Sequence, residues 1–191
     1  GSTNLSPRSL EIDDRVGRFI TVVGIPSAFL LHGYVGFIFG SIKANPWWST
    51  PLMPIVFLFS AIVSGIAAVL LIYIIYCRSQ KIPIDVPCLD TMAKYLYYAF
   101  IVDFSLEMLD LIHRIYVADE SFQSLDFMVR TRLYASHIVL QIGLGTLVPL
   151  ALLALTQMRQ LSIAVRQRMY AVAAALTMVG IFAMRWNVVI G

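Results

Sequence analysis

Five stretches of this chain run for about twenty residues or more with too little charge to be comfortable in water. They fall at roughly 17–40, 51–76, 91–115, 133–157 and 168–190. A helix needs about 20 apolar residues to cross the hydrocarbon core of a bilayer. Within lipid, each backbone N–H and C=O must be satisfied inside the protein, which makes helices the solution for runs of this length. Composition supports the same solvent. Of 191 residues, 59% are hydrophobic and 13% charged, with mean hydropathy +0.80, whereas a soluble domain carries roughly a quarter charged residues. The sequence predicts an all-α integral membrane fold of about five transmembrane helices, preceded by a polar segment, 1–16, with the lipid bilayer as its surroundings. The net charge of +3 is spread over loops. No basic face or folded module is present that would take nucleic acid.

The first residue is not a methionine, and the last apolar run stops directly at Gly191. Both ends predict a piece of a longer protein. Lys and Arg set the orientation. Nine of them (Arg8, Arg15, Arg18, Arg78, Lys81, Lys94, Arg159, Arg166, Arg168) fall on the side of the N-terminus if all five runs span. Five (Lys43, Arg114, Arg130, Arg132, Arg185) fall opposite, among the acidic Asp119, Glu120 and Asp126. The N-terminus is therefore expected on the cytoplasmic side. Gly36 and Gly40 stand four apart, as do Ser60 and Ser64, a spacing that lets helices approach closely in lipid. Trp47 and Trp48 suit an aromatic belt at the membrane surface. Cys77 and Cys88 flank one short loop at a spacing that fits no zinc or iron–sulfur pattern, and they read as free thiols.

Placed by depth, the ionisable groups inside the runs and the amides beside them share the outer leaflet: His32, then Asp103, Glu107, Asp110 and His113, then His137 and Gln141, then Arg185 and Asn187. Beyond the basic residues at their inner ends, counted above as loop charges, the inner half of the runs offers none. In "VDFSLEMLDLIH" the three carboxylates follow one another at four and three residues. At about 100° per residue they fall within roughly 60° of one another on a helix. Carboxylates in a span are costly and face a bundle interior, a partner or a water-filled cavity. Their structural alternative is that Arg185 neutralises Glu107 as a buried pair, with Asp110 and His113 at the interface. Arg185 can equally be drawn as a snorkelling side chain with Trp186 as belt. His137 reads as a helix-end residue bonded to a backbone carbonyl. His32, deeper, can donate to a ligand carbonyl and exchange a proton with it.

Three functions could use such a cluster. A quinone site needs an apolar slot, a donor at each carbonyl and a proton path to water. A b-type haem needs two facing histidines, and His32 and His137 stand at mismatched depths. A transporter would place polar groups near the midplane at repeats, and no repeat is present. The residues favour quinone.

The segment "LLHGYVGFIFGSIKANPWWSTPLMPIVFLFSAIVSG" resembles the polysulfide reductase membrane-subunit (NrfD-type) family at His32, Gly33, Gly40, Pro46, Trp48, Pro54 and Gly65. "SLEMLDLIHRIY" resembles the family's acidic helix, with Glu107 on its acid. "RWNVVIG" resembles a signature of the branch of hydrogenase and sulfite-reduction-complex anchors, where a further Gly and a Gln usually follow. The resemblance implies a fragment of a bundle of about eight to ten helices, multi-pass in a bacterial or archaeal cytoplasmic membrane. It implies a subunit without bound metal or haem that exchanges electrons and protons with quinone or menaquinone as substrate. Its partner would be an iron–sulfur subunit, with molybdopterin, cytochrome or other redox subunits alongside. Carried over, His32 and Glu107 are the candidate catalytic and quinone-contacting residues, with Asp103 next; beside them, Arg185 is expected to hold Glu107 ionised or orient it, and Asn187 to reach a backbone group or quinone carbonyl. Asp103, Glu107 and Asp110 form the candidate proton relay. A purely structural anchor and a redox-linked proton translocator are the competing expectations.

Overall fold

A computed structural model describes residues 7–42, 50–117, 127, 134–159 and 161–190. Five long helices follow one another: α1 (Pro7–Ser41), α2 (Met53–Ser79), α3 (Val86–Val117), α4 (Tyr134–Met158) and α5 (Ile163–Ile190). Among the described residues there is no strand. By length and composition α1, α2, α4 and α5 can each cross a membrane. The 32 residues of α3 are long enough, but Asp90, Lys94, Asp103, Glu107 and Asp110 break its apolar run. The chain is an all-α, multi-pass membrane protein. Pro46, Trp47 and Trp48 lie outside the described residues, as do Lys43, Asp119, Glu120, Asp126, Arg130 and Arg132.

The helices overshoot the apolar runs that announce them. Hydrocarbon thickness dictates where side chains must be apolar, while the backbone ladder continues into the polar interface. Residues 7–16 of the polar segment are therefore the first turns of α1, where Arg18 pairs with Asp14. α3 begins five residues before the expected 91, and α5 five before 168. Both starts are locally determined. The Asp85 carboxylate accepts the Cys88 N–H at 3.2 Å, the bond of an N-cap that satisfies an orphan donor of the first turn. The Asp85 N–H in turn donates to the Tyr73 hydroxyl at 3.1 Å. α2 ends in a Schellman turn: Ile82 N–H reaches Cys77 O at 2.9 Å and Lys81 N–H reaches Arg78 O at 3.3 Å. Lys81 takes the left-handed conformation that this turn demands, with φ 54°.

α4 changes winding partway. Tyr134–Leu147 is coiled as a π-helix and Val148–Met158 as an α-helix. Thr146 Oγ1 donates to the carbonyl of Gln141, five residues back, at 3.0 Å. The change comes where Pro149 withholds its N–H from the ladder.

α2 is the hub, packed by α1, α3 and α5, while α4 lies along α5. Gly36 on α1 lets the chain ride directly on α2: a Cβ there would stand 2.5 Å from the Pro54 Cα. Where α4 crosses α5, Gly145 meets Gly180 backbone to backbone, and a Cβ on Gly180 would lie 2.5 Å from the Gly145 Cα. Two apolar clusters result. The larger joins α2, α3, α4 and α5 through Val63, Ala67, Leu70, Leu96, Leu153 and Ala173. The smaller, Met53, Val56, Phe57, Met184 and Val188, fills the end where α2 starts and α5 finishes. Buried Ser60, Asp103, Gln141, Thr146 and Asn187 belong to the same four helices.

Candidate functional site

The main pocket opens at the end of the bundle where α2 and α4 begin and α3 and α5 finish. It gives the centre of a water-sized sphere about 110 Å³ of room. Its apolar wall is Met53, Val56, Met108, Leu111, Ile142, Met184 and Val188, and its polar groups are Thr50, Glu107, Asp110, His137 and Gln141. The helical period explains the convergence. Glu107, Asp110 and Leu111 are one turn apart on α3, His137 and Gln141 one turn apart on α4, and Met184 and Val188 one turn apart on α5.

Hydrogen bonds fix the polar wall. Thr50 Oγ1 donates to an Asp110 carboxylate oxygen and accepts the Leu52 N–H at 3.3 Å, so the loop leading into α2 is tied to α3. Gln141 Oε1 accepts from Asn187 Nδ2 at 3.1 Å and lies 3.0 Å from His137 Nδ1. A carbonyl oxygen can only accept, so the His137 Nδ1 carries the hydrogen. His137 Nδ1 is thus bonded to a side chain, where the π-wound half of α4 brings Gln141 beneath the ring.

The residues singled out from sequence divide into those the fold gathers and those it separates. Glu107 and Asp110 line the pocket. Asp103 lies one turn deeper, 6% exposed, and shares a small cavity with Glu107. Asn187, 1% exposed, buttresses the pocket through Gln141 without lining it. His113 is exposed. His32 lies in a separate apolar groove between α1 and α2, with Ile25, Phe29, Leu58 and Ile62. Its Nδ1 is 2.9 Å from the Ala28 carbonyl, so that nitrogen too carries a hydrogen and donates. The Arg185–Glu107 pair is not formed. Arg185 lies 5.8 Å from the Phe57 ring centroid as a cation–π contact, on the face of α5 turned toward α2 rather than the pocket. Gln141, placed by sequence with the outer-leaflet polar groups, and Thr50 complete the site; Thr50 drew no functional reading from sequence, since an uncharged polar residue near a helix end gives no sign of unusual cost.

A second polar cluster stands at the opposite end, within helices rather than loops. Arg166 Nη1 meets an Asp90 carboxylate oxygen at 2.7 Å, and the Tyr170 hydroxyl donates to the other at 3.0 Å. The expectation that this half holds no ionisable residue within a helix is corrected by the early starts of α3 and α5. The cluster clamps those helices together, with the apolar layer of Leu96, Leu153 and Ala173 between it and the pocket.

Chemically, the pocket combines an apolar slot with convergent hydrogen-bonding and proton-exchanging groups, the pattern of a small-molecule site. Among the described residues no group of three metal-ligating side chains comes together.

Comparison with known proteins agrees with this architecture. A selenate reductase subunit from Mesobacillus selenatarsenatis is 39% identical over 64 residues, covering 34% of this chain and 15% of the relative. Protein NrfD of Escherichia coli is 38% identical over 65 residues, covering 34% of this chain and 20% of the relative. A Halobacterium salinarum protein described as a dimethyl sulfoxide reductase membrane subunit is 32% identical over 152 residues, covering 77% of this chain and 34% of the relative. The matched stretches thus span about a third or less of these relatives' lengths. No solved structure matches. The profile of the polysulphide reductase NrfD family matches residues 4–191, almost the whole chain, and the chain belongs to that family.

Proposed function

We propose that this chain carries the quinone-reacting part of a membrane subunit in a respiratory reductase complex. The observation that carries the reading is the pocket itself: seven apolar side chains form a slot, and five polar ones converge at it. A quinone is a flat apolar ring with two carbonyls that gain two electrons and two protons. Thr50, His137 and Gln141 can orient the carbonyls, and Glu107 and Asp110 can give up or take the protons. The electrons come from, or go to, an iron–sulfur partner subunit docked at this end. Relatives named as subunits of selenate and dimethyl sulfoxide reductases support a place in such a complex. His32, in its own groove between α1 and α2, is assigned to contact quinone arriving from the membrane. The pocket end lies on the outer side of a bacterial or archaeal inner membrane, following the basic-residue count.

The test is binding of a quinone analogue to the full-length subunit within its complex, wild type against Glu107→Gln. A fall of about tenfold or more, worth ~1.4 kcal/mol, is expected while assembly is unchanged. Unaltered binding with intact assembly would instead favour a structural anchor for the electron-transfer subunits.

A further inference from the structure

Beneath the main pocket lies a second, much smaller cavity, with about 10 Å³ of room for the centre of a water-sized sphere. That is close to the minimum for one water molecule. It sits where α2, α3, α4 and α5 meet, and its wall includes Ser60, Asp103, Glu107, Gln141 and Thr146. The Oδ1 atom of Asp103 is buried there with no hydrogen-bond partner. A buried acceptor left unmade costs roughly 1–3 kcal/mol, and more when charged. None of the neighbours donates to it. Ser60 Oγ donates to Phe57 O at 2.9 Å and Thr146 Oγ1 to Gln141 O at 3.0 Å, so both present lone pairs to the cavity.

Charge makes the same demand. Asp103 and Glu107 are four residues apart on α3, placing their Cβ atoms about 5–6 Å apart. Among the described residues neither has a cationic partner: Arg166 is taken by Asp90 at the far end, and Arg185 lies on Phe57. The other titratable groups facing this region are Asp110 on α3 and His137 on α4, while α2 contributes the uncharged Ser60. Two like charges this close in a low-dielectric interior do not both persist. We propose that the cavity holds one water that bridges Asp103 and Glu107, making them a dyad that keeps a single exchangeable proton directly behind the main pocket. The water donates to the orphaned Asp103 Oδ1 and connects it to Glu107, whose other side faces the pocket. When the single proton rests on Asp103 it passes through the water to Glu107, Glu107 releases it to the pocket, and uptake through the pocket mouth restores the pair. The use of that proton rests on the quinone reading; the dyad rests on the cavity and its charges.

The experiment is infrared difference spectroscopy of the full-length subunit in its complex, without quinone, at neutral pH in H2O and D2O. Wild type is expected to show one protonated-carboxyl band from this pair, shifted by deuterium. Glu107→Gln should abolish it, because Asp103 is then left without a like charge beside it; Asp103→Asn leaves Glu107 next to Asp110, so there the band should remain at full intensity but move in frequency with the loss of the bridged partner. Persistence of a band at half intensity in each variant would mean two independent protonated acids and would overturn the dyad. Absence of the band in wild type, a measurement that needs no variant, would overturn it as well. Loss of quinone binding in Glu107→Gln with the band unshared would sink the dyad and leave the pocket reading standing.

Discussion

Thr50 and Gln141 hold the polar wall of the pocket in place, and in the proposed function the carboxylates carry the chemistry. Thr50 joins the loop ahead of α2 to Asp110 on α3, and Gln141 gathers His137 and Asn187 on one oxygen. Replacing Gln141 with Leu would leave both donors facing an apolar side chain. A loss of roughly 1–3 kcal/mol is expected, read as a lowered unfolding midpoint together with weaker quinone-analogue binding. Lys81 gives a prediction of opposite sign. Its φ of 54° bears a cost for an L-residue that glycine does not pay. Lys81→Gly should therefore raise stability by up to about 1 kcal/mol in thermal unfolding without touching the pocket. At this scale the sequence was a partial guide. Glu107 and Asp110 were legible because a carboxylate in an apolar run has no cheap explanation. Thr50 was not, and Gln141 stood out only by its depth, because their value lies in partners from other helices.

Among the elements, α5 reaches both polar ends of the molecule. Its first turns hold Arg166 and Tyr170 on Asp90, and its last turns hold Met184, Asn187 and Val188 at the pocket. The stretch from Arg166 to Asn187 spans about 32 Å at the rise of an α-helix. Asp90→Asn would remove the charge opposite Arg166, whose Nε is already buried without a partner. The ion pair is about a quarter to a third exposed (25% and 31%), so a cost of roughly 1–3 kcal/mol is expected rather than the larger value of a fully dry pair. Protease resistance of the purified complex would fall while the pocket residues remain unchanged. Helix number, type and order were plain from the apolar runs. Helix starts were not, since hydropathy reports the hydrocarbon slab and not the reach of the backbone ladder. The π winding of α4 was also hidden: it depends on Pro149 and on the crossing with α5.

For the whole molecule, the arrangement is a hub helix with two differently built ends: a clamped, ion-paired end and an end with a pocket, separated by a dry layer. Which helices neighbour one another could not be read from periodicity, and that is why His32 and Glu107, grouped by depth, prove to occupy different cavities. The Gly145–Gly180 crossing holds the halves of the pocket in register. Gly180→Ala should push α4 from α5, at a cost of about 1–3 kcal/mol, and the complex should purify with less bound quinone. A contact made by two glycine backbones has no side chains, hence no rotamers to freeze on folding or to free on warming. Neighbouring contacts can loosen by degrees as side chains sample other wells. This one has no intermediate settings, so the spacing of His137 and Gln141 from Met184 and Asn187 should stay nearly constant with temperature until α4 and α5 separate altogether.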